Sequence, residues 1–166
     1  MVETDVFISG AGLAGSIAAL SYSKAGRNVV VADPYIYSNN AQVDYRTTAY
    51  LQPSKLFLEK LGIWEAIGDS AMPLEIMKIM DSSNIKNGDK IRSQKEFKSA
   101  EISDLPFGWN VKNSLMRAAL KRLIDQQSNC KLITNSSAVG MVCRDSMAYL
   151  KLSSGNTVKA KLVIAA

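Results

Sequence analysis

Thr4-Asp5-Val6-Phe7-Ile8-Ser9-Gly10-Ala11-Gly12-Leu13-Ala14-Gly15 lies near the start of the chain, and its reading decides the fold. The first six residues are a short β-rich run, suited to a buried parallel strand that feeds a tight turn. From Leu13 to Lys24 the period changes. Leu13, Ile17 and Leu20 share one helical face, and Gly26 stands where a helix-ending glycine belongs. Asn28 to Asp33 is a second buried strand, stopped by Pro34. Together these make one strand-helix-strand unit with a parallel sheet, so the fold class is α/β.

Gly10, Gly12 and Gly15 spell G-x-G-x-x-G, a pattern too common to carry weight alone. Here it follows a strand, opens a helix, and is followed 23 positions after Gly10 by an acidic residue, Asp33. Gly10 permits the bend, Gly12 lets a pyrophosphate approach the backbone, and Gly15 lets the helix pack closely on the strand. Gly10, Ala11, Gly12, Leu13, Ala14 and Gly15 are therefore one candidate phosphate-binding turn, with the pyrophosphate at the positive end of the helix. Asp33 would accept hydrogen bonds from the adenosine ribose and repel a 2′-phosphate. The bland alternative is a purely structural turn with Asp33 capping a loop. The context favours the dinucleotide, but these residues do not separate FAD from NAD.

Composition narrows the chemistry. The 166 residues are 47% hydrophobic and 21% charged, within the ordinary globular range. A formal charge of +5 would suit a polyanion or a membrane surface, yet no block of like charges occurs, so a solvated surface is the better reading. Two cysteines without a Cys-x-x-Cys pair suggest neither a disulfide framework nor a zinc site, and point to a reducing, cytoplasmic setting. The absence of histidine removes Ser-His-Asp hydrolysis and His-ligated metals. Val6 to Leu20 is apolar enough to resemble a signal-peptide core, but acidic residues precede it and serines interrupt it.

Further along, Pro53 to Leu61 reads as a helix, with Ser54 at its start, apolar contacts from Leu56, Leu58 and Leu61, and Gly62 as its stop. Leu74 to Ser82 and the stretch beyond Asn87-Gly88 read as paired strands of a second, smaller sheet. Asn113 to Gln127 is an amphipathic helix. Four runs follow, at 131–134, 138–143, 147–152 and 157–161, the last three forming an antiparallel meander. Leu162 to Ala166 reads as a further, separate buried strand.

The opening run, then Arg46-Thr47-Thr48-Ala49-Tyr50-Leu51, Phe57 to Trp64, Val111-Lys112-Asn113-Ser114-Leu115 and Leu162 to Ala166, closely resembles the FAD-dependent aromatic hydroxylases, especially the ubiquinone-biosynthesis branch. The resemblance implies a Rossmann-like FAD-binding sheet over 1–73 and 99–166, with 74–98 contributing to a substrate-domain sheet. It implies FAD as cofactor, NAD(P)H as co-substrate and an aromatic small molecule as substrate, with one oxygen atom from dioxygen transferred to the ring. No catalytic side chain and no nucleic-acid partner are implied, and a peripheral membrane contact stays open. By the same resemblance Arg46 contacts the flavin side of FAD, Asn113 faces the cofactor, and Val139 flanks the adenine through its backbone. Arg46 as a plain surface arginine and Asn113 as a helix N-cap are the competing readings. Two departures stand out. The family has Glu where this chain has Asp33, and its last strand runs on into Asp-Gly and later Gly-Asp motifs that the 166 residues do not include. The expectation is therefore a fragment, which alone binds FAD weakly and hydroxylates nothing.

Overall fold

The computed structural model describes residues 1–35, 44–81 and 93–166. Strand β1 (Val2–Ser9), helix α1 (Leu13–Lys24) and strand β2 (Val29–Ala32) form the expected unit, β1 and β2 lying parallel. Strand β3 (Thr47–Leu51) leads into helix α2 (Gln52–Lys60); β4 (Met72–Leu74), β5 (Ile76–Asp81), β6 (Ser93–Lys98) and β7 (Gly108–Lys112) follow. Helix α3 (Asn113–Asp125) precedes β8 (Cys130–Ile133), β9 (Ala138–Arg144), β10 (Met147–Leu152) and β11 (Thr157–Ala165).

Six strands form the main sheet in the order β8-β2-β1-β11-β10-β9. The first four are parallel, while β11-β10-β9 is the antiparallel meander. One expectation fails here. Thr157–Lys161 and Leu162–Ala166 are not two strands but one, β11, whose residues pair with β10 from Thr157 to Ala160 and with β1 from Val158 to Ala165. No turn residue separates the two runs, so nothing stops the strand between them.

Alternation along β1 and β2 makes two cores. Val6, Ile8, Val29 and Val31 face one way and bury against Leu20 of α1 and Met116, Leu120 and Ile124 of α3. Phe7, Val30 and Ala32 face the other way and pack with Ala148, Leu150, Leu152, Val158 and Ala160. The buried residues of β10 and β11 therefore share the core that Phe7, Val30 and Ala32 form, apart from the helix-side core. Ala19 at 0% exposure lets α1 sit close.

Two smaller sheets complete the described residues: β3-β7-β4, and β5 paired antiparallel with β6. The expected strand pair is present in part: its first strand begins at Ile76, because Leu74 ends β4 and pairs with Gly108 in the other sheet, and Ser82 and the Asn87-Gly88 turn lie outside the described residues. Helix α2 starts before Ser54, at Gln52, because Pro53 fits a first helical turn, where its missing N–H is not needed. Leu58 and Leu61 are buried, but Leu56 is exposed rather than packed. No helix among the described residues is long and apolar enough to cross a membrane.

Candidate functional site

The glycine turn is built by backbone contacts that a side chain would break. The N–H of Gly10 donates to Ala32 O at 2.8 Å, tying the end of β1 to β2. Gly10 holds φ +107°, a region that L side chains rarely adopt, and a Cβ there would overlap the Ala166 carbonyl oxygen. A Cβ on Gly15 would overlap the Gly10 carbonyl oxygen, so the third glycine seats α1 directly on the turn. Gly12 differs. Its φ of −62° suits any residue, yet nothing lies within 4 Å of the position a Cβ would take. The space beside it is open.

That space meets the amino end of α1. Gly12 is the N-cap residue, no side chain caps the helix, and its first turn holds no acidic residue. Leu13 packs partly against the core, and Ala14 is exposed. Free helical N–H groups beside an open glycine fit a pyrophosphate in both charge and space. The donor set therefore fits the dinucleotide implied by the motif.

Asp33 closes the turn from the other side. Its Oδ2 accepts from the N–H of Ala11 at 2.6 Å and its Oδ1 from the N–H of Tyr35 at 2.7 Å. Each oxygen keeps a second lone pair, so the carboxylate can brace the turn and still accept a hydroxyl. The carbonyl of Asp33 accepts from the N–H of Ser136 at 3.0 Å, which draws the β8–β9 connection alongside. Val139, three residues further on, is 59% exposed near the start of β9. Glycine turn, Asp33 and Ser136 are thus linked by sequential hydrogen bonds.

Arg46 and Asn113 form a second group. The N–H of Asn113 donates to Arg46 O at 2.9 Å, where the β3–β7 ribbon runs into α3. The guanidinium of Arg46 donates through Nε and Nη2 to the two oxygens of Asp44, at 2.9 and 3.0 Å. Those bonds hold the Asp44 carboxyl down to about 2. Arg117, one turn along α3 from Asn113, brings Nε to 3.8 Å from the same carboxylate. Arg46 itself is 74% exposed, so it belongs to the surface, with its guanidinium paired to Asp44. Asn113 is not the N-cap: that position is Lys112, and the buried Asn113 amide accepts instead from Thr48 Oγ1 at 2.7 Å.

Asp44, Thr48, Arg117 and Gly108 were not singled out from sequence. Opposite charges two residues apart, as in Asp44-Tyr45-Arg46, were the available signal for the first. Gly108 had none: a Cβ there would stand 2.5 Å from Tyr50 O, a clash that only the β3–β7 pairing creates.

Comparison with known proteins bears on the family and the fold. The family described as "FAD binding domain" matches residues 3–166. The chain is 26% identical over 166 residues to the 3-demethoxyubiquinol 3-hydroxylase of Escherichia coli strain K12, covering 98% of this chain and 41% of that protein. It is also 26% identical to the Ubiquinone hydroxylase UbiL of Rhodospirillum rubrum, covering 98% of this chain and 36% of that protein. The chain thus spans about two fifths of the length of these relatives. Among solved structures, the p-nitrophenol 4-monooxygenase PnpA of Pseudomonas putida DLL-E4 shares the fold, with a TM-score of 0.77 at 19% identity over 99% of this chain and 41% of that one.

Proposed function

Since the chain belongs to the FAD binding domain family, we propose that it forms the cofactor-holding part of a flavin-dependent hydroxylase acting on an aromatic ring. The observation that carries this reading is the open space at Gly12 facing the uncapped amino end of α1, an arrangement that suits a dinucleotide pyrophosphate. Gly10, Ala11, Gly12, Leu13, Ala14 and Gly15 would cradle the diphosphate, and Asp33 would take the adenosine ribose. Val139, three residues beyond the Ser136 that hydrogen-bonds Asp33, would border the adenine. Arg46 and Asn113, locked together by a backbone hydrogen bond, would meet the flavin end.

Bound FAD would supply the redox chemistry, taking reducing equivalents from NAD(P)H and activating dioxygen. This chain's own work is to bind, orient and shield. No side-chain acid, base or nucleophile is assigned a catalytic role. The names of the two curated relatives point to a ubiquinone precursor as the ring substrate. β5 and β6, which among the described residues pair with each other alone, would belong to the part that meets that substrate. A cytoplasmic setting with peripheral contact to a membrane completes the reading, because a polyprenylated ring resides in the bilayer.

The test is an FAD titration followed by an NAD(P)H oxidation assay with a polyprenylated phenol present. The reading expects the bound flavin released by heat to be FAD rather than FMN, with a hydroxylated ring as product wherever the whole hydroxylase is assembled. Tight NAD binding without flavin would replace it with a nicotinamide oxidoreductase.

A further inference from the structure

Asn113 is a buried residue, 7% exposed, and its side-chain amide is used on one side only. Oδ1 accepts from Thr48 Oγ1 at 2.7 Å, and the backbone N–H is spent on Arg46 O. No acceptor among the described residues takes the hydrogens of Nδ2. That nitrogen nevertheless reaches the surface, because sealed side-chain atoms lacking a partner, among the described residues, are confined to Tyr50 Oη and Arg117 Nε. An almost buried amide with two idle donors at its mouth is costly unless an acceptor arrives, so the arrangement is built for one.

Which end of the amide faces outward depends on Thr48. The β3–β7 register sets Thr47 opposite Lys112 and Thr48 opposite Val111, so the half-buried Thr48 lies at the ribbon's last pairs before α3 begins at Asn113. An amide can turn over by rotating about its last side-chain bond, which exchanges acceptor for donors. A hydroxyl donating to Oδ1 biases that choice: with the amide turned over, Thr48 Oγ1 would accept from Nδ2 and its own hydrogen would be left without an acceptor among the described residues. We infer that Thr48 is a positioning residue: its hydroxyl fixes the Asn113 amide so that Nδ2 donates to an acceptor oxygen on the flavin-bearing end of the bound dinucleotide. The inference rests on the reading of Asn113 as a cofactor contact. Arg46 and Arg117, flanking the same helix start, set two cations against the one carboxylate of Asp44, and the surplus positive charge favours an acceptor that carries negative charge.

Calorimetric titration of the chain with FAD and, separately, with ADP tests it. ADP reports the glycine turn and Asp33 alone, so a merely structural loss would lower both affinities. Thr48→Val, which keeps the branched shape and suits a strand, is expected to weaken FAD about fivefold to tenfold while leaving ADP unchanged. Thr48→Ser restores the hydroxyl and is expected to bind FAD within about twofold of the parent. Asn113→Ala is expected to lose about tenfold, and Thr48→Val added to it to cost nothing more, because the hydroxyl then has no amide to hold. Three outcomes overturn the proposal alone: Asn113→Ala weakens FAD while Thr48→Val does not, the two losses add in full, or ADP affinity falls in parallel. Unchanged FAD affinity in Asn113→Ala removes the contact itself, and the proposal with it.

Discussion

The two groups of candidate site residues are made in different ways. The glycine turn is local: Gly10 to Gly15 and Asp33 lie within 24 residues, and backbone N–H groups and missing Cβ atoms do the work. The Arg46–Asn113 group is assembled from β3, β7 and α3, and depends on side chains held by other side chains. A site made of backbone is fixed by the fold and tolerates no added atom. A site made of side chains tolerates substitution of the scaffold's surface but loses its aim when one partner goes.

The difference is sharpest at the glycines. Gly15→Ala places a Cβ on the Gly10 carbonyl oxygen and is expected to destabilise the fold by about 3 kcal/mol or more, read by denaturant unfolding. Gly12→Val, three residues away, is expected to cost about 1 kcal/mol or less while driving FAD affinity below detection, because its side chain fills the open space at the helix end. A Gly12→Val protein that still bound FAD would break the assignment of the turn. Gly108→Ala carries the comparison to the second group: it is expected to cost about 2 kcal/mol by forcing β3 from β7. FAD affinity is expected to fall while ADP affinity holds.

Smaller effects probe the exposed charges. Arg46→Ala is expected to weaken FAD by about tenfold with little change in unfolding midpoint, since the side chain is 74% exposed. The Asp44 carboxyl sits at about 2 in the folded chain against 3.8 ordinarily, because Arg46 hydrogen-bonds its charged form. A lowered carboxyl favours the fold above its ordinary value. The clamp's contribution is therefore complete above about pH 4 and fades as pH falls towards 2. An NMR titration of Asp44 is expected to show that midpoint, and Arg46→Ala to move it back up. The least effect is on reactivity: burial pushes the Cys130 thiol up to about 11, so an alkylating agent is expected to label exposed Cys143 well before Cys130.

How legible the molecule was in its sequence follows the same division. Helix α1 was read with its observed limits, because Leu13, Ile17 and Leu20 mark its face and glycines bound it at both ends. β3 and β7 were not read as strands. Each is five residues long with few buried positions, and each is a strand because it pairs with a segment about sixty positions away. Asn113 was read as facing the cofactor or as a cap, but the amide's orientation depends on Thr48, which only that pairing brings near.

β11 carries a consequence for how the polypeptide is made. Strand β1 has β2 on one side within about thirty residues, but its other neighbour begins at Val158, opposite Val2. At ribosomal speeds of about 5–20 residues per second, one flank of β1 stays without its partner for on the order of ten seconds during synthesis. An uncovered run of Val6, Phe7 and Ile8 in a nascent chain is a template for wrong pairing. Helix α1 docking early would shield Val6 and Ile8, while Phe7 must wait for the meander. The strand that completes the pairing of β1 is thus the last that a newborn chain receives.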